Sequence, residues 1–495
     1  MIKTRFAPSP TGYLHVGGLR TALYAYLFAK KEEGHFVLRI EDTDQNRLVE
    51  GAAQNLQDIL KHFGLEWDEG PFFQSERKEE GIYQKYAEQL ISSGHAYRCY
   101  CSSERLTEMR TEQQKQKLPP KYDRTCYHLS DEEKEDLFNQ GKTHVVRLLI
   151  PDEEINFDDI VRGNVSFKGK DVDDQVLMKS DGFPTYHLAV VVDDHEMGIT
   201  HVIRGEEWVP STPKHLWLYQ AFGWERPTYA HLPLLLNADK SKLSKRQGDV
   251  AAEDYIKKGY LKEAILNFIA FLGWNPGSEE EFFTLPELVN AFSLERVQKA
   301  GAVFNVEKLD WMNGHYLREM HSADLAIMLL PLLKKTDWFK QSSYIGLSDK
   351  EIQEGNSDAA NNYIKYVACI QTRMKTLNEA PDQLRPFLLD ELEYGDLFFH
   401  EKMKVDRAMA IMSLENALKS LETHDDYSDE AVLKQVVVDV IQSMGIKNGQ
   451  MMWPLRIALT NEQYSAGAFE LMSVMGKKMS IERLNKAITY LKDSA

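Results

Sequence analysis

Cysteine is scarce, with four in 495 residues, which excludes a disulfide-built scaffold. No run approaches the roughly 18 uninterrupted apolar residues of a membrane helix. The opening Met1–Pro8 lacks the long apolar core of an export signal. No membrane partner and a cytoplasmic location are therefore expected. Positive charge is also in deficit: 59 Lys and Arg face 76 Asp and Glu, a formal net charge of −17. That balance argues against a protein that coats nucleic acid over a broad positive surface. There is no fixed-period repeat and no low-complexity tract. Apolar surface, by contrast, is ample: 43% hydrophobic and 11% aromatic residues exclude intrinsic disorder. At about 150 residues per domain the length suggests roughly three domains.

The first 45 residues read as strand, loop, helix, strand. Ile2–Ala7 is extended and is ended by Pro8 and Pro10, which cannot serve a central ladder. Leu19, Ala22, Leu23, Tyr26 and Leu27 recur at helical spacing, predicting a helix from near Gly17 to Gly34. His35–Glu41 is a second strand, which makes a βαβ unit of the kind that opens a nucleotide-binding sheet. Further strands are expected at Leu188–Val192, Thr200–Arg204 and His231–Leu236, with the intervening stretch from about 80 to 187 inserted into the sheet. From about residue 320 the pattern is helical. Val432, Leu433, Val436, Val437, Val440, Ile441 and Met444 form a core-facing stripe, started by Ser428 and Asp429 and stopped by Gly445.

Two loops carry chemistry. In His15-Val-Gly-Gly18 the loop after the first strand turns into a helix. Backbone N–H groups at a helix N-terminus favour anions, glycine lets a ligand approach the backbone, and an imidazole there can stabilise phosphate charge. Lys242-Leu-Ser-Lys-Arg246, directly after His231–Leu236, packs three cations around a serine and suits a triphosphate. Either loop alone reads equally as a Gly-rich turn or a solvated charge run. Arg5, Glu41 and Arg204 fall at or near the carboxyl ends of predicted strands, where open α/β sheets bind ligands.

The His-x-Gly-x and Lys-x-Ser-Lys-x pair resembles that of class I aminoacyl-tRNA synthetases. Arg5–Gly12 (RFAPSPTG), Arg39–Asp44 (RIEDTD), Arg204–Trp208 (RGEEW) and Leu309–Asn313 (LDWMN) are similar to the bacterial glutamyl-tRNA synthetase family, with a weaker likeness at Trp453–Thr460 (WPLRIALT). The resemblance implies an α/β plus all-α protein: a Rossmann-type parallel-sheet catalytic domain (1–80 and 188–237) with an inserted acceptor-end-binding domain (81–187), a helical stem-contact region carrying the cationic loop (238–320) and an α-helical anticodon-binding domain (321–495). It also implies the activity. L-glutamate is activated with Mg2+-bound ATP to glutamyl-adenylate, and glutamate is then transferred to the terminal adenosine of tRNA(Glu), by a monomer. By the same likeness His15, Lys242 and Lys245 are catalytic. Gly17, Gly18, Trp208, Leu235, Ser244 and Arg246 join them around ATP. Arg5, Ala7, Ser9, Glu41, Tyr186 and Arg204 bind glutamate, and Asp44 and Arg47 approach the tRNA. One departure stands beside Tyr186: His187 lies where many family members have Asn. An enzyme that also charges tRNA(Gln), and a small-substrate nucleotidyltransferase, remain as alternatives.

Cys99-x-Cys101 and Cys126-x-His128 form two closely spaced arms that suit one structural Zn2+, with Tyr122 a competitor for the fourth place. Lys115, Lys117, Lys121 and Arg124 between the arms either meet the tRNA acceptor end or form a solvated loop.

Overall fold

The computed structural model describes residues 1–243 and 251–493. The chain divides into two compact units, residues 1–257 with 262–306, and residues 258–261 with 307–495.

The first unit is built on a seven-stranded sheet. Its strands are β1 (Lys3–Phe6), β2 (His35–Ile40), β3 (Glu69–Phe73), β6 (Glu154–Asp159), β7 (Gly163–Lys168), β9 (His201–Gly205) and β10 (Thr228–Leu232), in the order β3-β2-β1-β9-β10-β6-β7. Every pairing is parallel except the β6–β7 hairpin. A second, antiparallel sheet holds β4 (Ala96–Cys99), β5 (Val145–Leu148) and β8 (Val176–Met178). Short β11 (Leu235–Leu236) and β12 (Ala302–Val303) pair with each other. The first helix, α1 (Val16–Lys31), crosses between β1 and β2 and buries Leu19, Ala22, Leu23 and Leu27. Its first turn is the glycine pair of the His15 loop.

Two expectations change. The strand expected at Leu188–Val192 is instead part of the helix Tyr186–Glu196. All five of its apolar residues are fully or almost fully buried, and so are Asp193 and Asp194. A helix covered on every side loses its polar stripe, and a β-branched run inside it reads like a core strand. The single strand expected at His231–Leu236 is two, β10 and β11, separated by Pro233. Proline has no N–H to give a central ladder.

The stretch 81–187 contributes to both sheets. It supplies β4, β5 and β8 with the helices Ser103–Lys115 and Asp131–Asn139. Its β6–β7 hairpin returns to the large sheet, where Asp159 pairs in register with Tyr229 of β10.

The second unit is helical, with principal helices at Ser322–Leu333, Asp358–Gln371, Arg407–Glu422, Glu430–Met444, Asn448–Thr460 and Ala468–Asp493, the last broken into two by a kink at Gly476. In Glu430–Met444 the Asp429 carboxylate caps the start and Gly445 ends it in the left-handed region at φ 64°. Leu433, Val437, Val440 and Ile441 are buried, whereas Val432 is 39% exposed. The core stripe is therefore one residue row narrower than the apolar pattern.

Candidate active site

A cleft of about 860 Å3 opens at the carboxyl ends of β1, β2, β9 and β10. Arg5, Ala7, Ser9, His15, Gly17, Gly18, Glu41, Asp44, Arg47, Tyr186, Arg204, Trp208, Leu235 and Lys242 all line it. Residues separated by up to 237 positions in sequence thus converge because parallel strands end together. Ser244, Lys245 and Arg246 lie outside the described residues. The chain leading to them is well placed: Leu243 N donates to Leu235 O at 2.9 Å, which turns it back along β11 at the cleft wall.

His15 has a defined proton. Its Nδ1 accepts from Gly17 N at 3.0 Å and Gly18 N at 3.2 Å, capping α1. An acceptor at Nδ1 must be bare, so the ring proton sits on Nε2. A Cβ on Gly17 would lie 2.9 Å from His15 Cε1, so only glycine leaves the imidazole in this pose.

Two buried arginines sit in different electrostatic settings. Arg5 Nε is 3.1 Å from Asp194 Oδ1. Asp194 also accepts from Arg39 Nη1 at 2.8 Å, and Arg39 Nη2 donates to Glu41 Oε1 at 3.0 Å. Burial would raise the Asp194 carboxyl, but Arg5 and Arg39 overcome it and hold it below the usual carboxylate range. Burial pushes Glu41 up to about 7, against the opposing pull of Arg39 and Arg5. Arg204, 5% exposed, is different. Its Nε donates to His231 Nε2 at 3.0 Å, Nη1 to Tyr186 Oη at 3.2 Å and His215 Nδ1 at 3.2 Å, and Nη2 to Thr212 Oγ1 at 2.9 Å. Among the described residues no carboxylate pairs with it. A buried cation with only neutral partners at hand is primed for an anion. Tyr186 packs against Trp208 with ring centroids 4.2 Å apart and planes tilted by 32°, which forms an aromatic wall beside that guanidinium.

At the rim, Arg47 Nε donates to Asp44 Oδ2 at 2.6 Å, and both side chains are largely solvated. Lys242 is exposed.

The Sγ atoms of Cys99, Cys101 and Cys126 lie within 4.8 Å of one another. The hydrogen bond between Cys99 and Cys126 lowers the Cys99 thiol and raises that of Cys126, so one thiolate is favoured within the pair and thiolate is the form that binds metal. The fourth ligand expected at His128 is not brought there: His128 is exposed and its ring packs edge-on against Tyr127. Buried Tyr122 lies beside the thiols instead, its hydroxyl 3.2 Å from Cys101 Sγ. Of the cations between the arms, Arg124 is held by Asp174 at 2.8 Å and Lys121 by the Lys170 carbonyl. Both serve the local fold.

Sequence reading missed Arg39, Asp194, Thr212, His215, His231 and Asp159. The acidic pair ending an apolar run was a usable signal for Asp194. The histidines carried none, because a lone His in an apolar stretch is a common core residue.

A parallel sheet with a capped glycine turn at its first helix and two arginines and an acid at its strand ends suits an enzyme that binds a small acid beside a nucleotide. The comparisons agree and go further. The family model for class I tRNA synthetases (E and Q), catalytic domain, matches residues 1–311, and that for an anticodon binding domain matches residues 324–488. Glutamate–tRNA ligases of Clostridium botulinum (strain Hall) and Clostridium tetani are each 44% identical; the alignments cover 99% of this chain and 99% and 98% of theirs. A crystal structure of a glutamate tRNA ligase from Elizabethkingia meningosepticum in complex with its amino acid superposes with a TM-score of 0.83 at 34% identity, covering 99% of both chains. The structure of that enzyme from Elizabethkingia anophelis gives 0.81 at 34% identity over 99% of both chains. The chain belongs to the glutamate–tRNA ligase family of class I tRNA synthetases. No helix among the described residues is long and apolar enough to cross a membrane.

Proposed function

We propose that the protein activates L-glutamate with ATP and transfers it to tRNA(Glu). The observation that carries the reading is the match between one cleft and one substrate. Glutamate presents two carboxylates and an ammonium; the cleft presents Arg5, Arg204 and Glu41. Arg204, which bonds directly to no carboxylate among the described residues, takes a glutamate carboxylate. Arg5, shared with Asp194, takes the other, and Glu41 takes the ammonium. Ser9 and the Tyr186 hydroxyl add hydrogen bonds, and Ala7 leaves room beside them.

The first step is attack of the glutamate α-carboxylate oxygen on the α-phosphorus of Mg2+-bound ATP, with pyrophosphate leaving. Positioning and charge stabilisation do most of the work. The His15 Nε2–H donates to phosphate oxygen, Lys242, Ser244, Lys245 and Arg246 meet the phosphates, and Gly17, Gly18, Trp208 and Leu235 accept the nucleoside. In the second step a ribose hydroxyl of the terminal adenosine takes the glutamyl group and AMP leaves. Asp44 and Arg47 at the rim approach the tRNA.

Cys99, Cys101, Cys126 and Tyr122 would hold one structural Zn2+. Such an ion would fix the end of β4 to the 122–126 turn, and four protein ligands would leave no open position for catalysis. The reading includes a cytoplasmic monomer, which light scattering of the purified protein checks.

The test is ATP–pyrophosphate exchange with glutamate, with and without tRNA, followed by aminoacylation of purified tRNA(Glu). Exchange that appears only with tRNA, and charging of that tRNA, support the reading. Glutamate-independent exchange, or exchange without charging, refutes it. Lys245→Ala should lower the exchange rate more than it raises the glutamate KM.

A further inference from the structure

Arg204 sits in the middle of a continuous chain of buried groups that the reaction itself does not use. Asp159 Oδ2 lies 2.6 Å from His231 Nδ1, and His231 Nε2 lies 3.0 Å from Arg204 Nε. On the other side Arg204 Nη1 reaches His215 Nδ1 at 3.2 Å, and His215 Nε2 lies 3.1 Å from His187 Nδ1. The register of the sheet builds it: His231 of β10 pairs opposite Arg204 of β9. Asp159 comes from β6, the strand that the inserted stretch returns to the large sheet. Thr212 and His215 sit three residues apart on one face of the helix Thr212–Phe222, so both reach the guanidinium. Asp159, His231 and His215 are each no more than 3% exposed.

The protons in this chain follow from one fact: a guanidinium only donates. His231 must be bare at Nε2, so its proton is on Nδ1 and is given to Asp159. His215 must be bare at Nδ1, so its proton is on Nε2 and is given to His187. All three imidazoles are neutral. Burial lowers His231 and His215, and burial with Lys214 and Arg204 nearby lowers His187 to about 3. The counter-ion of Arg204 is thus Asp159, one imidazole away. A carboxylate bonded directly to the guanidinium would fix it equally well, but would compete with a carboxylate ligand.

We propose that Asp159, His231 and His215 are positioning residues for glutamate recognition, whose fixed tautomers hold the Arg204 guanidinium in place through neutral acceptors and leave its charge to the substrate. This rests on the assignment of Arg204 to a glutamate carboxylate. His215→Phe keeps the ring and removes the acceptor; His215→Asn restores an acceptor near the Nδ1 position. Asp159→Asn must point its amide oxygen at the Val161 and Arg162 N–H groups that Asp159 Oδ1 now accepts. Its NH2 then faces His231 Nδ1, drives the proton to Nε2 and sets it against the Arg204 Nε–H.

The assay is aminoacylation with the full chain, read as the KM for glutamate against the KM for ATP. His215→Phe and Asp159→Asn should each raise the glutamate KM about 10- to 100-fold, the effect of an unmade buried bond to a charged group. The ATP KM should stay within about twofold, and His215→Asn should recover most of the loss. An unchanged glutamate KM in His215→Phe, or an equal rise in Phe and Asn variants, overturns the proposal. Arg204→Ala separates the layers. If it leaves the glutamate KM unchanged, the assignment of Arg204 fails; if it raises that KM while the His215 and Asp159 variants do not, only the positioning role fails. Should a variant not fold, nitrogen NMR of histidine-labelled native protein decides: protons on His231 Nδ1 and His215 Nε2 are expected, and the opposite tautomer at either overturns the proposal.

Discussion

Asp194 is the strongest single test of how the glutamate end of the cleft is held. Arg5, Arg39 and Arg77 face Glu41, Asp193 and Asp194, a balanced set of three cations and three anions, with Asp194 shared by Arg5 and Arg39 at 3.1 and 2.8 Å. The Arg5, Arg39 and Asp194 side chains are no more than 4% exposed, so solvent screens little of the interaction. Asp194→Asn keeps the shape and leaves one unbalanced buried charge. Breaking one side of a buried pair costs about 3–5 kcal/mol, and the retained amide oxygen places this change near the lower end, about 3 kcal/mol. For domains of roughly 150–250 residues that is a fall of about 6–12 °C in Tm. Arg39→Met alone should also destabilise. Combined with Asp194→Asn it restores the balance, so the double variant should be less destabilised than the sum by at least about 1.5 kcal/mol. Urea unfolding followed by tryptophan fluorescence measures all four proteins. The Asp194 pKa is depressed in the fold, so its stabilisation is present above the unfolded value of about 3.9 and is lost as pH falls through the folded one. The gap between native and Asp194→Asn should therefore be fully open at pH 8, above the Glu41 titration near 7, and close in acid. A Tm within about 1 °C of native, or strict additivity in the cycle, would refute the account of this cluster.

Glu41 should make glutamate binding pH-dependent. With burial raising it to about 7, the carboxylate that takes the ammonium is lost as pH falls below that value. The glutamate KM should then rise by up to about tenfold per pH unit, while Glu41→Gln should show a high KM that is flat with pH. A flat native profile from pH 8 to 6 would contradict this. Gly17→Ala forces the His15 ring away, because the new Cβ would lie 2.9 Å from Cε1. Pyrophosphate exchange should fall more than tenfold, while stability changes by under about 1 kcal/mol, since better helix propensity offsets the weakened cap; a normal exchange rate would remove the phosphate role of that imidazole. For the thiol cluster, Tyr122→Phe should loosen zinc and His128→Ala should not, as read by zinc content after mild chelation. The reverse result would return the fourth ligand to His128.

Fourteen expected site residues meet in one cleft because strand ends are legible: Glu41 and Arg204 each follow a short apolar run, and Arg5 lies just before the prolines that end the first strand. The environment of those residues was not legible, for a physical reason. Arg5 and Arg204 look alike in sequence, yet one is bonded directly to Asp194 and the other to neutral imidazoles and hydroxyls. Asp194 was hidden because the helix that carries it is buried all round, which erased the periodicity that distinguishes helix from strand. Asp159 was hidden because its strand leaves the inserted stretch to pair with β10, a choice made by tertiary pairing with no local signature. The same blindness explains which side chain lies beside the three thiols. Cys-x-Cys and Cys-x-His are symmetrical as letters, but Tyr122 hydrogen-bonds the Cys126 N–H at 3.1 Å and is drawn into the thiols, while His128 lies beyond the turn and faces solvent. Residue type at a strand end thus identifies what chemistry is present. The neighbour that bonds to it is chosen by the fold, and here it decides which of two arginines is paired directly with a carboxylate.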